Sequence, residues 1–153
     1  NVEGNREVRE YAKQQGILLI RGIEITTLGG DISALGVDEV ITGTYDEIID
    51  RVHQLGGIAI LNHPFAGLLP DPIQDKPDIL KKFDAIEVYN AGTPLAENVE
   101  AIELAKKIKK PGIGASDAHS VDAIGNAFIA VAANDEKGVL EEIKKGRVTI
   151  GIV

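Results

Sequence analysis

The sequence predicts an α/β fold in which helices cover a mostly parallel sheet or barrel. Two observations carry this prediction. Four apolar runs have the length of buried strands, and the segments around them repeat their apolar residues at helical spacing. Strands that alternate with helices pair in parallel, because each helix returns the chain to the same end of the sheet. The four runs are residues 17–20, 58–61, 85–89 and 128–132.

Glycines and a capping motif place three of the helices. The first is predicted over residues 2–15 and the last over residues 136–145, because each segment is followed by a glycine, the residue that most often ends a helix. A third helix is predicted over residues 45–55. Thr44 directly precedes it and Glu47 lies in its first turn, at the spacing of a capping box, in which each of the two side chains accepts a hydrogen bond from the backbone N–H of the other residue.

A fourth helix is predicted over residues 95–108, where the charge runs from acidic to basic as the helix dipole favours. Its apolar stripe is Leu95, Val99, Ile102 and Ile108. Residues 63–77 cannot form an ordinary helix or central strand, because they contain four prolines. A loop of this length in a small domain is typical of a lid or binding loop.

Composition limits the function classes. The 153 residues, of which 44% are hydrophobic, fit one domain, residues 1–153, with one core. A net charge of −8 repels polyanions and argues against a protein that coats nucleic acid. Without cysteine, any metal site must use His, Asp or Glu, and the composition is compatible with the reducing cytoplasm. The sequence shows neither a signal peptide nor an apolar run long enough for a membrane span.

Polar side chains stand where predicted strands give way to loops. They are Glu24, His63, Asn90, Asp117 and His119. In parallel α/β folds the carboxyl ends of the strands open on one face, where ligands and catalytic groups gather. Four of them, all except Asn90, offer nitrogen or oxygen ligands. The pattern therefore favours a metal site.

Each of these residues also has a structural explanation. His63 precedes a proline and could simply form a turn. The stretch SDAH, residues 116–119, could cap a helix or form an Asx-turn. Glu24 is expected to be buried, because alternate residues of a strand face the core. A buried carboxylate needs a partner, which could be a metal ion or, alternatively, Arg21 or a lysine in an ion pair. His53 lies on a helix edge and is interpreted as an ordinary surface residue.

Four sequence blocks resemble the PHP (polymerase and histidinol phosphatase) superfamily of metal-dependent phosphoesterases. They read GIEITT, LNHPF, DAIEVYNAG and GASDAHSVDAIGNAF, in that order along the chain. The resemblance implies a distorted (β/α)7 barrel that holds up to three metal ions, commonly zinc, manganese or iron, at the strand ends. Because blocks that the family carries upstream are absent, the barrel is expected to be incomplete at its N-terminus.

The resemblance implies five metal ligands. Glu24 matches the carboxylate that bridges two metals, His63 matches the His-Pro ligand, and Asp117 and His119 match the closing Asp-x-His pair. Asp31 stands where the family has a histidine, and oxygen ligation there shifts the preference toward harder ions. No catalytic residue is assigned.

The family's upstream His-x-His and Asp-His motifs are missing, since the chain has only three histidines. The sequence therefore resembles the C-terminal portion of a family domain. The expected function is hydrolysis of a small phosphomonoester or nucleotide by metal-activated water. The alternative is a non-catalytic remnant that binds a ligand or partner through the same face. The expected partner is a small phosphorylated substrate. Nucleic acid is expected to bind only through the end of a short strand, and no binding to a membrane is expected. If a second chain supplies the missing units, the protein would form an oligomer.

Overall fold

The computed structural model describes residues 2–153, in which helices and strands alternate over most of the chain. The helices of this part are α1 (Val2–Gln14), α2 (Tyr45–Gln54), α3 (Pro77–Leu80), α4 (Leu95–Ile108) and α5 (Glu136–Lys144), with 3₁₀ turns at Ile73–Asp75 and Val121–Ala123. The strands are β1 (Gly22–Thr27), β2 (Gly30–Leu35), β3 (Ile58–Leu61), β4 (Ala85–Asn90), β5 (Gly112–Ala115), β6 (Ala127–Val131) and β7 (Val148–Ile152). None of the described helices is both long and apolar enough to cross a membrane.

The strands form two separate sheets. The larger sheet has the order β1-β2-β3-β4-β5, in which β1, β2 and β3 are antiparallel neighbours and β3, β4 and β5 are parallel. The smaller sheet is the antiparallel pair β6-β7. The prediction of a distorted (β/α)7 barrel is therefore wrong. Over residues 2–153 no barrel closes, because β6 and β7 pair with each other instead of extending the sheet from β5 toward β1.

The predicted strand at residues 17–20 is also wrong. The chain is irregular there, and strand pairing begins at Gly22, opposite Leu35. Ile17 and Leu18 are exposed. A run of four apolar residues forms a strand only when a neighbouring strand offers backbone hydrogen bonds to it. The strand β2 ends opposite Gly22 and therefore does not pair with residues 17–20. The runs at 58–61, 85–89 and 128–132 coincide with β3, β4 and β6 to within one residue at each end.

Helix positions agree well with the local sequence signals. The capping box of Thr44 and Glu47 is formed at the start of α2, and α4 has the predicted bounds. The buried face of α4 is different from the predicted stripe, however. Leu95 and Val99 are exposed, whereas the buried residues are Asn98, Ala101, Leu104 and Ala105. The two alanines let the helix approach the sheet closely, and Asn98 is buried because it bonds the end of β4.

The core occupies both faces of the large sheet, because successive residues of a strand point to opposite sides. On one face Ala59, Leu61 and Ile86 pack with α2, Phe83 and α4. On the other face Ile58, Ile60, Ala85 and Ile113 pack with Leu140 and Ile143 of α5. The Arg21 side chain and the Glu136 carboxylate form an ion pair at 2.6 Å, which ties the entry of β1 to the start of α5.

Candidate metal centre

Three neighbouring strands bring Glu24, Asp31 and His63 together. Glu24 lies in β1, Asp31 near the start of β2, and His63 two residues after β3. The His63 Nε2 atom is 3.6 Å from Glu24 Oε1 and 3.7 Å from Asp31 Oδ2. One ligand atom from each residue can be chosen so that all lie within 4.8 Å of one another. Among residues 2–153 this is the one group of three such side chains.

This spacing fits a divalent ion. Ligand atoms that share one zinc at about 2.0–2.2 Å lie roughly 3.0–3.5 Å apart. The two His63 distances of 3.6 and 3.7 Å are slightly longer than this, and the ligand atoms of Glu24 and Asp31 lie within 4.8 Å of each other, so the side chains would move inward to share one ion. Two carboxylates and one imidazole suit zinc, manganese or iron(II). Because these are three protein ligands, coordination positions remain for water or a substrate oxygen.

Glu24 is more exposed than strand alternation suggested. Its side chain is 46% exposed, because β1 is an antiparallel edge strand among the described residues instead of a strand covered on both faces. The alternative partner Arg21 binds Glu136 instead. Glu24 faces His63 and receives a hydrogen bond from Asn62 Nδ2 at 2.6 Å. The ion-pair alternative with Arg21 is therefore not what the fold adopts.

A buried carboxylate holds the backbone of His63. The His63 N–H donates to Glu87 Oε2 at 2.8 Å, and His63 has a φ of 22°, outside the range that L-residues usually adopt. Glu87 is only 4% exposed, and burial raises the pKa of its carboxyl, opposed by the hydrogen bonds from Asn90 and the His63 N–H. His63 thus does more than form the turn that its proline requires, because its unusual backbone is fixed by a buried hydrogen bond.

Asp117 and His119 lie near the triad, which consists of Glu24, Asp31 and His63, but do not join it. Asp117 follows β5, has a φ of 48°, and its Oδ2 accepts from Asn90 Nδ2 at 3.1 Å. The His119 side chain is 88% exposed, and its Nδ1 lies 2.8 Å from the Asp117 carbonyl. The segment does not cap a helix, since the next helical element, the 3₁₀ turn Val121–Ala123, starts after Ser120 without a side-chain cap.

Asn90 connects these groups. Its side-chain Nδ2 donates to Glu87 Oε2 at 3.2 Å as well as to Asp117, and its backbone bonds Asn98 of α4 in both directions. A cavity of about 240 Å³ lies beside this network, with Leu35, Ile60 and Ile113 among its apolar lining residues. Asn62, Glu87 and Asn98 were not predicted as parts of the site. The signal for Glu87 was present, since a charged residue inside the apolar run AIEVYN needs a buried partner.

Without a metal, His63 and Glu24 stabilise each other's charged forms. The Glu24 carboxylate raises the pKa of His63 to about 9; burial acts against this, and the charges of Glu87 and Asp31 add to it. His63 in turn lowers the pKa of Glu24, against the effect of burial and with help from the Asn62 amide. At neutral pH the metal-free site therefore holds an imidazolium, which must lose its proton before Nε2 can bind a metal.

This arrangement predicts a falling stability in mildly alkaline solution. Because the folded-state pKa of His63 is raised from 6.5 to about 9, its contribution is complete below pH 6.5 and is lost as the pH rises through 9. We expect the melting temperature of the metal-free protein to decrease over this range, and the decrease to be much smaller in His63→Gln. Thermal unfolding followed by circular dichroism in chelator would measure both. Equal pH profiles of the two proteins would contradict the ion pair.

His53 is not the isolated surface residue that the sequence suggested. Its Nε2 lies 2.8 Å from Asp84 Oδ2, and the same oxygen accepts from the Ala59 N–H, while Lys144 lies 3.5 Å from Oδ1. This group ties α2 and α5 to the segment before β4. His53 is not a member of the triad and provides a matched histidine control for it.

Comparison with known proteins supports the resemblance. Residues 96–148 match the family described as PHP-associated. The chain is 33% identical over 118 residues to the uncharacterized protein MJ0417 of Methanocaldococcus jannaschii, an alignment that covers 72% of this chain and 50% of that protein. It is 32% identical over 95 residues to MJ1587 of the same organism, covering 59% of this chain and 53% of that protein. The chain thus spans about half the length of these relatives.

Solved structures show the same fold. One is a two-domain protein from Bacteroides vulgatus that contains a predicted PHP-like metal-dependent phosphoesterase. The superposition covers 99% of this chain and 50% of that protein, with a TM-score of 0.76 and 20% sequence identity. The other is PsfC from Pseudomonas syringae, for which the superposition covers 86% of this chain and 58% of PsfC, with a TM-score of 0.65 and 18% sequence identity. Together with the match of residues 96–148 to the PHP-associated family, the shared fold supports the resemblance of this chain to the PHP superfamily.

Proposed function

We propose that this chain is part of a metal-dependent phosphoesterase and that Glu24, Asp31 and His63 hold one divalent metal ion in it. The observation that carries the proposal is the convergence of three ligating side chains from three neighbouring strands. Residues 1–153 form a single PHP-like domain in this proposal, equivalent to the C-terminal portion of the family domain. Asp117 and His119 are proposed ligands of a further metal, completed by residues from outside this chain segment.

The residues of the site have distinct tasks in this function. When bound, a divalent metal supplies a nucleophile near neutral pH and positive charge for the phosphoryl oxygens. Glu24, Asp31 and His63 hold it, with His63 in its neutral form. Glu87 fixes the His63 backbone, and Asn90 links Glu87 to Asp117. A bound metal also lets a protein of net charge −8 attract a phosphate at one point.

The substrate class that fits best is a small phosphomonoester or a nucleotide. The chain has no glycine-rich phosphate loop such as a Walker motif, so a phosphate would be held by metal charge. A long polyanion is disfavoured by the net charge. Nucleic acid would therefore bind only through a short end.

Phosphate release tests the proposal. The purified full-length protein that contains this segment is mixed with Mn²⁺, Zn²⁺ or Fe²⁺ and with p-nitrophenyl phosphate or nucleoside monophosphates, beside its His63→Ala variant and the control His53→Ala. We expect phosphate release by the wild type and by His53→Ala, and its loss in His63→Ala. Metal binding without phosphate release from any substrate would favour the alternative, a non-catalytic domain that binds its ligand through the metal.

The aspartate at position 31 predicts a metal preference. A carboxylate in place of an imidazole favours harder ions, so the wild type should prefer Mn²⁺ over Zn²⁺ more strongly than Asp31→His does. Competition between the two ions, measured by elemental analysis after equilibrium dialysis, gives the preference of each protein. The same ratio in both proteins would remove Asp31 from the set of ligands.

A further inference from the structure

Asn62 is a buried polar residue that contacts the strands of all three triad members. It follows β3 directly and is 8% exposed. Its side-chain Nδ2 donates to Glu24 Oε1 at 2.6 Å and to Ser33 Oγ at 2.8 Å. A carboxamide nitrogen carries two hydrogens, so these two bonds use both of them. Glu24 and Ser33 are direct partners across the β1-β2 ladder, and Asn62 therefore bridges this pair from the third strand.

The backbone of Asn62 reaches the other two residues. Its N–H donates to the Asp31 carbonyl at 3.0 Å and extends the β2-β3 pairing by one bond. The next residue is His63, whose own N–H is held by Glu87. Asn62 thus fixes the position of one triad side chain, bonds the backbone of the second, and is covalently joined to the third.

Glu24 is the triad member that most needs such a contact. Its side chain is 46% exposed on an edge strand of the described sheet, whereas those of Asp31 and His63 are 25% and 16% exposed. A free glutamate samples many rotamers, and fixing it when a metal binds costs conformational entropy. A hydrogen bond already present in the metal-free protein removes part of this cost.

We propose that Asn62 is a positioning residue that orients the Glu24 carboxylate for the metal without binding the metal itself. This inference rests on the proposed metal site. The short bond fixes Oε1, the same oxygen that faces His63 Nε2 at 3.6 Å. A carboxylate oxygen has two lone pairs, so Oε1 can accept from Asn62 and still face the metal position. The amide nitrogen of Asn62 has no lone pair to offer a metal.

Asn62→Leu tests the inference, because leucine has a similar volume and no donor. Mn²⁺ binding is measured by electron paramagnetic resonance in the wild type, in Asn62→Leu and in the control Ser33→Ala. Loss of a residue that orients a ligand lowers metal affinity about 10- to 100-fold, which is the decrease expected for Asn62→Leu. Ser33→Ala, which leaves the bond to Glu24 in place, should change the affinity less than about threefold.

A double-mutant cycle separates positioning from general damage to the fold. If Asn62 acts through Glu24, then adding Asn62→Leu to Glu24→Ala should lower the affinity further by less than about twofold. An equal decrease in both backgrounds would overturn the inference, as would unchanged affinity in Asn62→Leu alone. Either result leaves the proposed function intact, provided that the wild type binds Mn²⁺. A wild type that binds no Mn²⁺ would overturn the proposed function and this inference together.

Discussion

Replacing His63 with alanine should lower the affinity of the chain for Mn²⁺ or Zn²⁺ by at least about 100-fold while leaving the fold largely intact. His63 offers the nitrogen atom of the proposed metal site and lies between the two carboxylates, 3.6 Å from Glu24 and 3.7 Å from Asp31. Without it, Glu24 and Asp31 would have to hold the ion alone. The chain should still fold, since the side chain lies in the loop after β3 and not in the apolar core, although the metal-free variant loses the stabilising contact between His63 and Glu24.

Isothermal titration with each metal gives the affinities, and circular dichroism gives the fold. His53→Ala is the matched control, because it removes a histidine that also faces a carboxylate, Asp84, but outside the triad. The control should keep the wild-type metal affinity. Metal affinity that is unchanged in His63→Ala would remove this residue from the site.

Glu87→Leu should lower the free energy of unfolding by about 1–3 kcal/mol, because it leaves the His63 N–H without its acceptor and removes one of the two acceptors of the Asn90 side-chain Nδ2. Both groups donate to Glu87 Oε2, and Asn90 Nδ2 keeps its second bond, to Asp117 Oδ2. The His63 backbone, with its φ of 22°, would also lose the bond that holds it. Metal affinity should therefore decrease together with stability.

Glu87→Gln is the matched control for this prediction. Glutamine has the same side-chain length and keeps an acceptor oxygen, so Glu87→Gln should lower the free energy of unfolding by no more than about 1 kcal/mol. Urea unfolding of the three proteins gives the free energies. The account of Glu87 would be wrong if the leucine variant were as stable as the glutamine variant.

Much of the secondary structure could be predicted, because its signals are local. The capping box at Thr44 and the terminal glycines place helix ends, and the aliphatic runs place β3 and β4. The barrel could not be predicted correctly, because closure depends on pairing between strands far apart in sequence. Residues 28 and 29 turn the chain back into the antiparallel strand β2, and β6 pairs with β7. The Gly29-Gly30 pair marks the first turn, but nothing local indicates which strands will pair.

The site could be predicted only in part, because some of its residues are placed by local strand ends and others by contacts between distant elements. His63 and Asp117 follow parallel strands, and the rule that such strand ends share one face places them near each other. Glu24 and Asp31 reach this face by another route, through the β1-β2 hairpin, so the expected burial of Glu24 was wrong. The supporting roles of Asn62 and Asn98 depend on partners in other elements and could not be read from single residues.

The most direct test of the central claim is the number of metal ions per chain. Elemental analysis is applied to protein purified without chelator and without a histidine tag, and then dialysed against Mn²⁺. The triad predicts about one ion per chain in the wild type and in His53→Ala, because one group of three ligands suffices for one ion, and much less in His63→Ala. A wild-type chain that holds no metal under these conditions would contradict the account.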